Sequence, residues 1–159
     1  MHPDAQRLIA ELGLEPHPEG GFYRETYRSP NTVTTLRGTQ RSALTSILFL
    51  LTGENFSAFH RLASDETWHF YRGDPITIEM IAAGGHYDRR VLGPDGPWQT
   101  AVPAGCNFAS HVENRLGYAL VGCDVAPGFD FADFVLSQRG ALSAAHPQYA
   151  PLIAKLTRS

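Results

Sequence analysis

The feature that most constrains the fold is a series of short apolar segments, each closed by turn residues. The segments are rich in β-branched and aromatic residues, and Gly, Pro, Asn or Asp separates each one from the next. In chain order they are Phe22–Tyr27, Ser42–Leu51, Phe56–Arg61, Thr67–Tyr71, Ile76–Ile81, His86–Leu92, Thr100–Val102, Phe108–His111, Tyr118–Val125 and Phe134–Leu136. Many short strands at this spacing predict an all-β sandwich or barrel.

Helical patterns flank this β-rich region. Apolar side chains recur at helical spacing in Asp4–Leu14, with Asp4 after a proline as the candidate N-cap and Gly13 as the stop. The tail, Pro147–Arg158, has the same periodicity and predicts a final helix. Neither a repeat nor a linker interrupts the 159 residues, so we expect a single domain over 1–159.

The composition limits the classes of partner that the protein is expected to bind. The formal charge of −3 provides no basic surface, so neither nucleic acid nor an anionic membrane is expected to bind. The longest apolar run, Ile47–Leu51, is far too short to cross a bilayer, and the N-terminus lacks a secretory pattern. We therefore expect a cytoplasmic protein. Cys106 and Cys123 lie in apolar segments and are expected to be free, buried thiols.

One stretch, GENFSAFHRLASDETWHFYRG at residues 53–73, carries the candidate chemistry. Gly53, His60, Glu66 and Gly73 follow the layout of the first motif of cupin barrels, in which a glycine precedes a His-x-His pair, a glutamate and a closing glycine. The second His of the pair is replaced by Leu62. The motif thus resembles a cupin metal site from which a ligand is missing.

The second cupin motif is also incomplete. It resembles Gly96, then Pro103-Ala104-Gly105, with Phe108 where a histidine belongs. A typical cupin site uses three histidines and one glutamate, and only two of these remain here. Because catalytic metal sites generally have three protein ligands, no metal and no other cofactor is expected; a metal, if bound, would use His60 and Glu66.

The resemblance extends over nearly the whole chain. HPEGGFYRETYRS at 17–29, SAFHRLASDETWHFYRGDP at 57–75 and YALVGCDVAPGFDFADFVL at 118–136 are similar to one cupin branch, the Cupin_5 or YML079-like group. This resemblance implies an RmlC-like jelly-roll β-barrel with short N- and C-terminal helices, and a homodimer. It implies no particular activity.

Strand alternation predicts a pocket. If Glu66 points into the barrel, Trp68 and Phe70 do too, and Phe108 would join them as an aromatic wall for a small-molecule ligand. Near the N-terminus, Tyr23 or Arg24 could line the pocket mouth and bind an anionic substrate group. Alternatively, that segment is only a strand that pairs with the barrel edge or with a second subunit.

A histidine and a carboxylate in one cavity are the parts of a proton-transfer site. By position, the chain is similar to dTDP-4-dehydrorhamnose 3,5-epimerase, which implies His60 as the base beside Glu66, Asp130 or Asp133 orienting it, and Tyr118 as the acid. We therefore predict a small-molecule-binding cupin that acts as a metal-independent epimerase or isomerase on a sugar-like or sugar-nucleotide-like carbonyl compound. A non-catalytic binding or sensing cupin and a metal-dependent cupin enzyme are the alternatives, and His60 could also be purely structural.

Overall fold

The computed structural model describes residues 1–158. Helix α1 spans Pro3–Leu12 and ends at Gly13, which adopts a left-handed conformation with φ 61°. The predicted N-cap was wrong, because His2 takes that position and its Nδ1 accepts the Asp4 N–H at 3.1 Å. Pro3 explains the difference: proline fits the first helical position, so the capping residue is the one before it.

Most of the chain forms antiparallel strands. Their bounds are β1 Glu15–Pro16, β2 Phe22–Arg28, β3 Thr32–Thr34, β4 Gln40–Ser42, β5 Thr45–Thr52, β6 Phe56–Arg61, β7 Asp65–Gly73, β8 Ile76–Ile81, β9 Tyr87–Leu92, β10 Gln99–Val102, β11 Asn107–Val112, β12 Tyr118–Ala126 and β13 Val135–Leu136. The strands β1, β3 and β4, each of two or three residues, had no counterpart in the sequence prediction. The longer strands match the predicted segments.

These strands form two main sheets and a small hairpin. The first sheet has the order β1-β2-β5-β12-β7-β10, the second has the order β13-β6-β11-β8-β9, and β3 pairs with β4 alone. The inner faces of the two main sheets share one apolar core, in which Phe49, Trp68 and Phe108 are almost fully buried. The predicted all-β architecture is therefore confirmed.

Helices cover the outer faces. Helix α1 packs its apolar side over Leu50, Tyr118 and Leu120 on the outside of the first sheet. Helices α2 (Arg139–Ala145) and α3 (Ala150–Lys155) pack against the outside of the second. The predicted single C-terminal helix is shorter than expected, because a 3-10 turn precedes it, and α2 was missed. No helix in residues 1–158 has the length and apolar character needed to traverse a bilayer.

Candidate functional site

A cavity of about 570 Å³ opens between the sheets, beside the N-terminal segment. Its wall mixes apolar, acidic, basic and imidazole side chains. The lining residues are Gly13, Glu15, His17, Glu19, Tyr23, Arg24, Glu25, Arg28, Thr45, Ile47, His60, Leu62, Glu66, Cys123, Val125, Phe129, Asp130 and Phe131. A concave site with a few converging polar groups is the usual form of a small-molecule pocket.

His60 forms a buried ion pair in this cavity with Glu19. The His60 Nε2 atom lies 2.9 Å from Oε2 of Glu19, and His60 Nδ1 donates to the Ala58 carbonyl at 2.7 Å. A carbonyl oxygen can only accept, so Nδ1 carries a proton. Ser57 Oγ donates to the other Glu19 oxygen at 2.8 Å. Both nitrogens of the imidazole and both oxygens of the carboxylate are thus engaged.

A glycine pair brings Glu19 into position. Gly20 has φ 114°, and a Cβ there would lie 2.1 Å from the Phe56 carbonyl oxygen. Gly21 has φ 78°, with Phe49 Cζ 2.8 Å from a Cβ position. Only glycine combines these backbone angles with such close approach. The tight turn therefore directs the Glu19 side chain inward between the sheets.

A β-bulge in β6 orients the two side chains that bind Glu19, those of Ser57 and His60. Ser57 pairs with Ser110 and His60 pairs with Phe108, so two residues of β6 lie opposite Ala109 alone. In a regular strand, positions three apart face opposite sides, but an extra residue restores the same side. Ser57 and His60 consequently both point at Glu19. The bulge also leaves the Ala58 N–H free to donate to the Glu19 carbonyl at 2.8 Å.

Electrostatics hold this pair in its charged form. Burial lowers the pKa of His60, but the charge of Glu19 and its hydrogen bond outweigh burial and raise the pKa overall. Burial raises the pKa of Glu19, but His60 outweighs it and the pKa is lowered overall. Both shifts favour an imidazolium beside a carboxylate.

Glu66 is the second buried carboxyl group in the cavity, and its environment raises its pKa, whereas the pKa of Glu19 is lowered. Burial, followed by the nearby charge of Glu19, raises the pKa of Glu66 to about 7. One oxygen, Oε2, accepts from Trp68 Nε1 at 2.9 Å. Within residues 1–158, no donor reaches the other oxygen, Oε1. Glu66 therefore changes protonation state near neutral pH with one oxygen available to a ligand.

The predicted catalytic residues are brought together only in part. His60 and Glu66 share the cavity, but the partner of His60 is Glu19, not Asp130 or Asp133. Asp133 is bound by Arg41 at 2.8 and 3.0 Å and by a second arginine, which holds it away from the imidazole. Asp130 lines the cavity, but its Oδ1 accepts the Ala132 N–H at 2.8 Å and caps a 3-10 turn.

Tyr118 does not reach the cavity. It belongs to the outward face of β12, where it packs under helix α1 with its ring 5.0 Å from that of His2. Strand alternation explains this position, because the inward residues of β12 are Ala119, Val121, Cys123 and Val125. The expectation of Tyr118 as the acid is corrected by its placement on the far side of the sheet.

The predicted aromatic wall lies behind the polar groups rather than on the open cavity. Trp68 is 2% exposed and bonds Glu66, while the ring of Phe108 lies 4.0 Å from that of His60. Phe70 packs against the same core. The aromatic residues that do line the open space are Tyr23, Phe129 and Phe131.

The N-terminal strand lies both at a sheet edge and along the cavity wall. It pairs with β5 and β1 at the edge of the first sheet, and Tyr23 and Arg24 also line the cavity. Arg24 has no ion-pair partner within residues 1–158. His17 and Glu19, in contrast, were missed by sequence reasoning, which used HPEGGFYRETYRS only as part of the family resemblance. The available signal was the pair of glycines that follows them.

The residues present do not fit a cupin metal. Both ring nitrogens of His60 are committed, one to Ala58 and one to Glu19, so neither has a lone pair for a metal. Leu62 and Phe108 occupy the other two ligand positions. Across residues 1–158, no three His, Cys, Asp or Glu side chains are grouped so as to hold a metal ion.

The two antiparallel sheets with their internal cavity define the class of protein as a jelly-roll cupin. The chain belongs to the Cupin_5 family of the cupin superfamily (DUF985), whose model matches residues 6–137. The family, the fold class and the short terminal helices expected from the sequence are therefore confirmed.

Solved structures agree with this assignment. A hypothetical protein from Leishmania major is 36% identical, with 98% of this chain and 99% of that chain covered and a TM-score of 0.93. A protein from Shewanella oneidensis is 42% identical, with coverage of 99% and 98% and a TM-score of 0.88. A mutant of Bacillus subtilis oxalate decarboxylase, 15% identical over 90% of this chain and 37% of its own, has a TM-score of 0.57 and shares the fold. No curated protein matches the sequence.

Proposed function

We propose that this protein is a metal-independent isomerase or epimerase that moves a proton on a small, sugar-like carbonyl compound. The observation that carries the proposal is the opposite behaviour of two carboxyl groups in one cavity. The pKa of Glu19 is lowered and that of Glu66 is raised to about 7. Two carboxyl groups whose pKa values are pushed apart in this way are characteristic of acid/base sites.

Glu66 is the acid/base group in this proposal. A base with a pKa near neutrality is largely ionised at neutral pH and is still basic enough to take a proton from carbon. As a carboxylate, Glu66 takes a proton from the carbon next to the substrate carbonyl; as an acid, it returns the proton to carbon. The available Oε1 atom faces the reacting carbon in this arrangement.

The His60–Glu19 pair sets the charge around Glu66. The fixed imidazolium stabilises the negative charge that develops on the substrate when the proton leaves, since buried, pre-oriented charges act strongly in a site from which water is excluded. Burial and, after it, the carboxylate of Glu19 raise the pKa of Glu66 and keep it from being a permanently ionised group. The base is thus Glu66, and His60 is an electrostatic partner whose nitrogens are already occupied.

The test is solvent deuterium exchange. Free and phosphorylated aldoses and ketoses are incubated with the protein in D2O, and loss of the C–H signal next to the carbonyl is followed by NMR. We expect exchange into at least one sugar, and Glu66→Gln should slow it by about 10²–10⁴-fold. Glu79→Gln is the matched control, because Glu79 is, like Glu66, a buried carboxyl group bound by a ring N–H group, here that of His111 at 3.0 Å, but lies outside the cavity.

The outcomes separate the two classes of function. Exchange that is lost in Glu66→Gln and retained in the Glu79 control supports the isomerase. A sugar that binds without exchange would instead support the binding or sensing cupin, because the same cavity can hold a metabolite without proton transfer. Exchange that survives Glu66→Gln would overturn the role of Glu66.

A further inference from the structure

His17 occupies the cavity wall two residues before Glu19, and aromatic rings fix its orientation. Its ring centroid lies 4.5 Å from that of Tyr23 and 5.9 Å from that of Phe134, both edge-on, and 6.2 Å from the stacked ring of Phe131. The side chain is 7% exposed. An imidazole packed in this way presents one defined edge to the cavity.

The hydrogen bonds of His17 determine its tautomer. The Glu19 backbone N–H donates to His17 Nδ1 at 3.2 Å, so this nitrogen carries no proton. The Glu19 carboxylate lies 3.6 Å from the same nitrogen, which is too long for a hydrogen bond. A neutral imidazole with an unprotonated Nδ1 has its proton on Nε2. No group in residues 1–158 accepts that Nε2–H.

Burial, more than the charged neighbours, keeps this ring neutral. Burial lowers the pKa of His17, Glu19 raises it and His60 lowers it further, so the net change is downward. His17 is therefore a neutral hydrogen-bond donor in a cavity that already contains the imidazolium of His60. The two histidines differ in charge because Glu19 presents its carboxylate to one and its backbone N–H to the other.

We propose that His17 is a further catalytic residue, whose Nε2–H binds the carbonyl oxygen of the substrate; this inference rests on the proposed function of Glu66. When the C–H bond breaks, its proton passes to the Glu66 carboxylate. The electron pair forms the carbon–carbon double bond of an enediolate, and the carbonyl oxygen takes the negative charge. Return of the proton from Glu66 to the adjacent carbon, with transfer of the hydroxyl proton between the two oxygens, completes an aldose–ketose isomerisation.

The proposal also defines the substrate class. A donor edge without a partner binds an acceptor oxygen, which a carbonyl and a hydroxyl group both provide. Only the carbonyl compound has an acidic neighbouring C–H and forms an enediolate whose oxygen gains negative charge, so the site turns over the carbonyl compound and not the corresponding alcohol. Dihydroxyacetone and glycerol are the smallest pair that differ in this way.

The first test is the tautomer itself, which needs no substrate. ¹⁵N-histidine NMR of the free protein should show His17 with a bare Nδ1 and a protonated Nε2 through neutral pH. Dihydroxyacetone should shift the Nε2 resonance and exchange its C–H protons in D2O, whereas glycerol should not exchange. A proton on Nδ1, or an Nε2 resonance that dihydroxyacetone leaves unchanged, would overturn the proposal.

The second test uses two amides that copy different parts of the ring. His17→Asn keeps an acceptor near Nδ1 and removes the donor at Nε2, whereas His17→Gln places an N–H near Nε2. We expect kcat for exchange to fall by about 10²–10³-fold in His17→Asn with little change in KM, since one donor to a developing oxyanion is removed. His17→Gln should recover part of the loss.

Thermal melting of both variants shows whether the fold is retained. If His17 is only structural, the two variants will lose activity in proportion to their stability, and Gln will not rescue; that result overturns the catalytic role. This outcome can be distinguished from failure of the proposed function. If the proposed function is wrong, the wild-type protein exchanges no sugar at all. If only the role of His17 is wrong, exchange persists in the wild type and still depends on Glu66.

Discussion

The imidazole of His60 and the carboxylate of Glu19 meet at 2.9 Å inside the jelly roll, although one belongs to strand β6 and the other to the turn before strand β2. Ser57 and the Ala58 carbonyl satisfy the remaining polar atoms of the pair. The contact therefore joins two distant parts of the chain, and it sets the charge that Glu66 and His17 experience. Its removal should change both the free energy of unfolding and the pKa values of nearby groups.

Glu19→Gln should lower the pKa of His60, because the charge that raises it is removed, and should lower the pKa of Glu66 for the same reason. Breaking a buried ion pair from one side costs about 3–5 kcal/mol, and release of the His60 proton places the expected loss at the lower end. Urea unfolding and NMR titration measure the two effects. Glu11→Gln, which removes an exposed pair with Arg7, is the control and should cost less than about 1 kcal/mol. Equal losses in both variants would contradict the prediction.

Glu66 should make the free energy of unfolding depend on pH. Its pKa is about 7 in the folded protein against 4.5 as the ordinary value, so the folded state favours the protonated acid. The stabilisation is complete below about pH 4.5 and is lost as the pH rises through 7, a change of up to about 3 kcal/mol. Subtraction of the Glu66→Gln profile isolates this contribution. A difference that stays constant between about pH 5 and pH 8 would show that Glu66 titrates normally.

Gly20→Ala should disrupt the turn that carries Glu19. The new Cβ would lie 2.1 Å from the Phe56 carbonyl oxygen, in addition to the cost of a positive φ. Gly38→Ala is the matched control, since Gly38 also has a positive φ, 82°, but has nothing within 4 Å of the Cβ position. We expect about 1 kcal/mol for the control and a larger loss for Gly20→Ala. Similar melting temperatures for the two variants would refute the steric argument.

Chelation should leave the protein unchanged. Because both nitrogens of His60 are engaged and two ligand positions carry Leu62 and Phe108, dialysis against EDTA should alter neither the melting temperature nor deuterium exchange. Elemental analysis of protein purified without added metal completes the test. Near-stoichiometric iron, manganese, nickel or zinc, together with loss of exchange after chelation, would favour the metal-dependent alternative.

The expected homodimer can be tested at a strand edge. Strand β1 covers only Phe22 and Tyr23 of β2, so the edge of β2 from Arg24 to Arg28 has no partner strand within residues 1–158. Exposed edges of this kind pair readily with a second copy. Sedimentation at micromolar concentration should give a dimer, and the amides of Arg24–Arg28 should exchange more slowly as concentration rises. Strand β9, at an edge of the second sheet, is the internal control, and a stable monomer would contradict the expected dimer.

The sequence predicted the longer strands well because their apolar and polar residues alternate and turn residues bound them. It placed His60 and Glu66 in one cavity, for the same reason. It did not predict Glu19 as the partner of His60, because that contact depends on two irregular features, the turn at Gly20 and the bulge after Ser57. Irregular backbone carries no periodic signal, so only the three-dimensional pairing of β6 with β11 reveals it.

The turn that carries Glu19 receives its last support from the far end of the sequence. Arg158 donates to the carbonyl oxygens of Glu19 and Phe56 at 3.2 and 2.9 Å, and its guanidinium lies 4.5 Å above the Phe56 ring. Arg158 follows strands β1–β13, so a ribosome releases it after all thirteen of them. The strands can begin to pair during synthesis, but the turn that carries the acidic partner of His60 gains this support only after the last of these strands has emerged. The pocket is therefore completed later than the two sheets that enclose it.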